Sequence, residues 1–228
     1  MKNILSKEYK NSLIISLTII ACVVMGIVDA VIQPGYIIKS LIKVVMFLLL
    51  PFIYTIFDKE NSFKSLFKPN KKGFLFALFI GFGVFSIILI AYFLFKNVFD
   101  FSGLTKNLTS QTGVNKDNFI FVAIYISFIN SLLEEFFFRG FAFLTLKKLS
   151  NRKFAYFFSS LMFSLYHIAM MIGWFAVPVI ILAVIGLFVG GIIFNYFNEK
   201  FNNIYLSWLV HMFANFAINT IGIILFNM

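Results

Sequence analysis

Seven mostly apolar stretches, each close to the length of a bilayer crossing, dominate this chain. They run over roughly residues 12–32, 37–57, 73–95, 118–146, 154–171, 174–197 and 204–226. A helix rises about 1.5 Å per residue, so about 20 apolar residues span the hydrocarbon core of a membrane. The expected fold is therefore all-α, a polytopic transmembrane helical bundle of about seven spans, with eight as the upper count. The fourth run is long and is expected to tilt or to project from the membrane. The fifth is short, and the break after it, at Met171–Gly173, is weak. Composition agrees: 61% of residues are hydrophobic and 12% are charged, against about 25% charged in a soluble domain. Residues 1–228 read as a single integral membrane domain. The first run is long enough to span and no small-residue cleavage site follows it, so it is expected to remain as a helix.

The net charge of +10 would suggest nucleic acid in a soluble protein. Here the lysines lie mostly between apolar runs, so they report topology, the expected partner is the lipid bilayer, and no nucleic acid is expected. Lys2, Lys7 and Lys10 precede the first run; Lys59, Lys64, Lys68, Lys71 and Lys72 follow the second. Lys147, Lys148, Arg152 and Lys153 follow the fourth, and Lys200 follows the sixth. The other side keeps Lys96, Lys106 and Lys116, diluted by Asp100 and Asp117. Positive charge gathers on the cytoplasmic side, so the expectation is a multi-pass cell-membrane protein with its N-terminus cytoplasmic. Lys39 and Lys43, near the outer end of the second run, are expected to snorkel to the headgroups or to pair with Asp29. Gly186 and Gly190 form a small-xxx-small spacing and read as a helix-packing surface. The single cysteine, Cys22, makes no internal disulfide and reads as a packing residue.

Charged groups within a span cost about 2.5 kcal/mol or more each to insert, which makes them functional candidates. The fourth run holds Glu134, Glu135 and Arg139; the fifth holds His167 and the seventh His211, the only histidines in the chain. Glu135 and Arg139 stand four apart with the acid first, the favoured orientation for a helical ion pair. Glu134 lies about 100° around the helix from Glu135. Ser127, Asn130 and Ser131 lead along the helix to Glu134; Ser160 and Ser164 lead to His167; Ser207, His211, Asn215 and Asn219 follow at intervals of four. Three helices thus each carry a polar face with one group able to do chemistry, and together these would line a wet pocket. Depth is consistent: Glu134 and His167 lie about 18 and 20 Å from the cytoplasmic ends of their runs, His211 and Asn215 about 10 and 16 Å.

At these residues the chain resembles the CPBP family, also called the Abi family, of CAAX prenyl endopeptidases and relatives linked to bacteriocin processing and self-immunity. The resemblance rests on Glu134-Glu135-Phe-Phe-Phe-Arg139, then Phe163-Ser-Leu-Tyr-His167, then His211-Met-Phe-Ala-Asn215. The three motifs occur in order, each on its own run, within a catalytic core expected over 118–220. The family's usual eighth span has no counterpart among the seven runs. The resemblance implies intramembrane hydrolysis of a peptide bond, with Glu134 activating the water and His167, His211 and Asn215 holding it or stabilising the oxyanion. It implies supporting roles for Glu135 and Arg139. Two histidines and a glutamate also suit zinc, with His167 and His211 as its ligands, so a zinc enzyme and a metal-free mechanism both stay open.

The expected substrate is a membrane-associated peptide or protein terminus. The abundance of Phe, Ile, Lys and Asn fits an AT-rich bacterial genome, which favours peptide maturation or bacteriocin immunity over prenylated proteins. The alternative is a non-catalytic membrane immunity or scaffold protein that binds a toxin or sensor. A proton-relay transporter is disfavoured, because neither repeats nor paired broken helices are visible.

Overall fold

A computed structural model describes residues 6–58, 63–68, 72–99, 101 and 103–228. Seven helices in it are long and apolar enough to cross a membrane: α1 Lys7–Ile32, α2 Tyr36–Ile56, α3 Phe74–Phe95, α4 Phe119–Leu149, α5 Arg152–Met171, α6 Val177–Phe201 and α7 Ile204–Leu225. The chain is an all-α polytopic membrane bundle. Among the topology lysines and their diluting acids, Lys2, Lys59, Lys71 and Asp100 lie outside the described residues.

Local chemistry sets the helix ends. Side-chain oxygens of Ser6, Asn151 and Asn203 accept the free amides of the first turns of α1, α5 and α7, the usual device at a helix start. Gly173 adopts φ +80°, a left-handed conformation that glycine adopts without strain. It closes α5 and makes the weak break real. Pro178 then occupies the first turn of α6, where its missing N–H costs nothing, so α6 begins at Val177 rather than near residue 174.

Burial separates a centre from a periphery. The most apolar windows of α4 and α5 are 39% buried, those of α3 and α6 only 11%. A hydropathic helix with so little protein around it faces lipid along most of its length. Exposed Ile87, Leu94, Ile181 and Ile185 belong to these lipid-facing surfaces. The apolar core instead gathers Phe47, Phe136, Phe137, Phe138, Phe141 and Phe163 from α2, α4 and α5. Phe47 stacks on Phe137 with centroids 4.3 Å apart.

Close helix approaches are made by small residues, but not by the expected pair. A Cβ on Gly186 or Gly190 would meet nothing within 4 Å, whereas one on Gly191 would lie 3.0 Å from the Ser160 backbone. Gly191 is therefore the contact between α5 and α6, and Gly186 and Gly190 are not. Gly81 admits Phe213 where α3 meets α7, and Gly222 admits Phe119 where α4 meets α7. Cys22 is free and buried, as its packing role requires.

The fourth helix is not a regular α-helix. Wide turns with i→i+5 hydrogen bonds occupy Tyr125–Asn130 and Phe136–Phe143, on either side of the α-helical Ser131–Glu135. Such turns rotate the faces on either side relative to each other, and they recur at functional sites. Another wide turn, Val45–Leu49 in α2, precedes Pro51. Proline offers no N–H to the carbonyl four residues back, which disturbs the α-helical ladder at that point.

Candidate active site

Glu134 stands at the middle of the 31-residue α4 and is 1% exposed. Helices α5 and α7 bring both histidines to it. The Nε2 atoms of His167 and His211 lie 3.7 and 3.8 Å from Glu134 Oε2. The three groups expected to meet across three spans do meet, on one carboxylate oxygen.

The other nitrogen of each ring is occupied. His167 Nδ1 lies 2.7 Å from the Phe163 carbonyl, and His211 Nδ1 lies 3.0 Å from Glu135 Oε1. A carbonyl or carboxylate oxygen only accepts, so each Nδ1 carries a hydrogen, and each ring turns its Nε2 toward Glu134. Local structure positions the first ring: His167 interrupts α5, its own N–H reaching back only to the Ser164 carbonyl at 3.2 Å. The His211 ring is stacked on Phe194 at 5.5 Å between centroids.

Glu135 and Arg139 form the expected i,i+4 pair, with Arg139 Nη1 3.2 Å from Glu135 Oε1 and both side chains fully buried. The guanidinium also lies over the rings of Phe163 and Phe194, 4.0 and 4.8 Å from their centroids. Cation–π contacts of this kind strengthen when water is excluded. Glu135 thereby ties Arg139 to His211 and fixes that ring from behind.

Lys43 departs from expectation. It neither snorkels nor pairs with Asp29; Lys39 makes the ion pair with Asp29. Lys43 points inward, 4% exposed, with Nζ 3.2 Å from Glu134 Oε1 and donating to Asn130 Oδ1 at 2.7 Å. Asn130 Nδ2 donates to the same Glu134 oxygen at 2.8 Å, and the Tyr166 hydroxyl does so at 3.4 Å. Tyr166 also escaped sequence reasoning. Its position next to His167 was a usable signal; no local pattern marked Lys43, which is 91 residues from its partner.

Asn215 sits one turn beyond His211, with its amide donating to the Ile126 carbonyl at 3.2 Å. Asn219 donates to the Ala123 carbonyl and to Ser127 Oγ at 3.2 and 2.9 Å. This part of the α7 stripe clamps α7 to α4. The serines of the other stripes also serve helix contacts: Ser160 accepts from Asn195 of α6 at 3.2 Å, and Ser207 accepts from Asn198 at 2.7 Å. Those stripe residues are thus engaged between helices, and the groups turned to Glu134 are the two histidines.

Among the described residues, no group of three or more His, Cys, Asp and Glu side chains is disposed to hold a metal ion. Glu134 Oε1 is taken by an ammonium and an amide, and Glu135 by Arg139 and His211 Nδ1.

The site is a buried carboxylate facing two imidazoles, held in a helical membrane bundle. Residues 116–217 match the family described as Rce1-like, type II CAAX prenyl endopeptidase Rce1-like. That stretch holds all three motifs, and over it the chain is similar to this family. No curated protein and no solved structure gives a match.

Proposed function

We propose that the chain hydrolyses a peptide bond near the terminus of a membrane-associated peptide or protein, with Glu134 as general base. The observation that carries this reading is the buried Glu134 Oε2 with an imidazole Nε2 on either side at 3.7 and 3.8 Å. These separations exceed a direct hydrogen bond and suit a water that bridges Glu134 Oε2 and an imidazole. That water gives one hydrogen to Glu134 Oε2 and directs the other to an imidazole lone pair. Its oxygen attacks the substrate carbonyl as the proton passes to Glu134; the C–N bond then breaks and the proton goes to the departing amine.

The tautomers refine the roles of the other residues. With its Nε2 as acceptor, His167 or His211 takes the water's second hydrogen and orients it, rather than donating to the oxyanion. The second N–H of the Asn215 amide, beside the one given to the Ile126 carbonyl, supplies the donor for the developing charge. Glu135 and Arg139 orient His211. The route needs no metal, since Lys43 and Arg139 balance the two carboxylates within the site. With an N-terminus in the cytoplasm the site opens toward that side, and the biological setting is peptide maturation or bacteriocin immunity in a bacterium.

The test is cleavage by purified protein in detergent. The panel comprises membrane-tethered reporter peptides, some with a prenylated CAAX end and some with an unmodified apolar end. Cleavage should persist in a strong chelator and be lost in Glu134→Gln. Loss in the chelator, restored by zinc, would overturn the metal-free route. No cleavage of any peptide, with Glu134→Gln still supporting immunity in cells, would instead support a scaffold that binds a toxin or sensor.

A further inference from the structure

The two oxygens of Glu134 have different surroundings. Oε1 receives three donors: Lys43 Nζ at 3.2 Å, Asn130 Nδ2 at 2.8 Å and the Tyr166 hydroxyl at 3.4 Å. Oε2 faces the imidazoles. A carboxylate oxygen has two lone pairs, so Oε1 is saturated and cannot take a proton without losing a partner. Oε2 keeps its lone pairs for the reaction.

Lys43 is itself held firmly. It donates to Asn130 Oδ1 at 2.7 Å, and Asn130 in turn donates to Oε1, closing a three-membered ring of contacts. Its ammonium lies 5.2 Å from the centroid of the Tyr166 ring. Lys39, one turn earlier on α2, is committed to Asp29 of α1. Lys43 is thus the α2 lysine that reaches the base, and it comes from outside the 116–217 stretch that carries the family match.

We propose that Lys43 is a positioning residue: it anchors Oε1 of Glu134 so that Oε2 is presented to the water between His167 and His211. This rests on Glu134 being the general base. It makes α2 a part of the working site rather than packing around it. Lys43 touches no reacting atom and acts through Glu134.

The experiment measures kcat and KM separately on the reporter peptide cleaved best by the wild-type chain, for Lys43→Met, Lys43→Arg, Asn130→Ala and Glu134→Gln. A misaligned base costs turnover at about the hundredfold level for a displacement of about 1 Å. Lys43→Met should therefore lower kcat by about a hundredfold with KM within about threefold. Lys43→Arg should recover a measurable part of that loss by restoring the charge, which a merely space-filling role does not predict. Should Lys43→Met not accumulate, Asn130→Ala removes one anchor without stranding a charge, and should lower kcat by about tenfold. Wild-type kcat in Lys43→Met, or in Asn130→Ala where the first is not obtained, would overturn the anchor while Glu134→Gln remains inactive. A change confined to KM would also overturn it. Full activity in Glu134→Gln, or no cleavage by the wild-type chain, would overturn the protease reading and the anchor with it.

Discussion

Two clusters of charge in this bundle use similar residues to different ends. At one end of the bundle Glu199 accepts from Arg152 Nε and Nη2 at 2.8 Å each, from Tyr156 Oη at 2.6 Å and from Lys147 at 3.2 Å. That Arg152 side chain is 64% exposed. In the middle of the bundle Glu134, Glu135 and Arg139 are no more than 1% exposed, and Lys43 is 4% exposed. The first cluster staples α4, α5 and α6 with spare donors and water at hand. In the second, among the described residues, Glu134 has Lys43 and Glu135 has Arg139 as its lysine or arginine partner, and little water screens the pair. Buried charge is a poor way to gain stability, because desolvation offsets most of the attraction. Four charges kept there are functional candidates.

The comparison breaks most sharply at the base. Glu134→Gln preserves shape and removes the proton acceptor, so reporter cleavage should fall by about a thousandfold, within the range general bases contribute. Equal turnover by wild type and variant would put the central cluster on the same footing as the staple.

Arg139→Met should be the costliest change to the fold, because it leaves Glu135 buried without its cation. The expected loss is about 3–5 kcal/mol, seen as poor accumulation and a lowered thermal midpoint in detergent. Adding Glu135→Gln should restore much of it. A double variant no better than the single one would show that the guanidinium is held by Phe163 and Phe194 and not by Glu135.

Packing gives the next effect. Gly191→Val drives two methyl groups toward the Ser160 backbone and should cost about 1–3 kcal/mol. Gly190→Val, facing open space, should stay within about 0.5 kcal/mol of the parent. Thermal unfolding of the pair ranks them, and equal midpoints would return Gly190 to the helix contact.

Smallest is the staple itself. Glu199→Gln should leave the midpoint within about 2 °C of the parent, with the difference shrinking further at high salt. A large salt-independent drop would mean that the staple carries as much of the fold as the centre does.

The seven spans were legible because lipid imposes a crude requirement, length and apolarity, that composition alone can meet. The motif residues were legible for the same reason: an ionisable group in an apolar run stands out. Glu135 with Arg139 follows from helical spacing within one run. What escaped was whatever depends on rotation and on the meeting of distant helices. The wide turns flanking Ser131–Glu135 change which face each residue presents, and no residue pattern announces them. Gly186 and Gly190 carry the spacing of a contact, yet Gly191 makes it, since helix rotation is set by all the neighbours at once.

By itself, then, the sequence determined a membrane bundle, its number of spans and three helices carrying an acid and two imidazoles, because these follow from the cost of taking polar groups into hydrocarbon. Only the tertiary structure decided that both Nε2 atoms turn to one oxygen of Glu134 and that Lys43 and Asn130 take the other. Hydrogen bonds reach about 3 Å, and such contacts exist only once α2, α4, α5 and α7 are packed together.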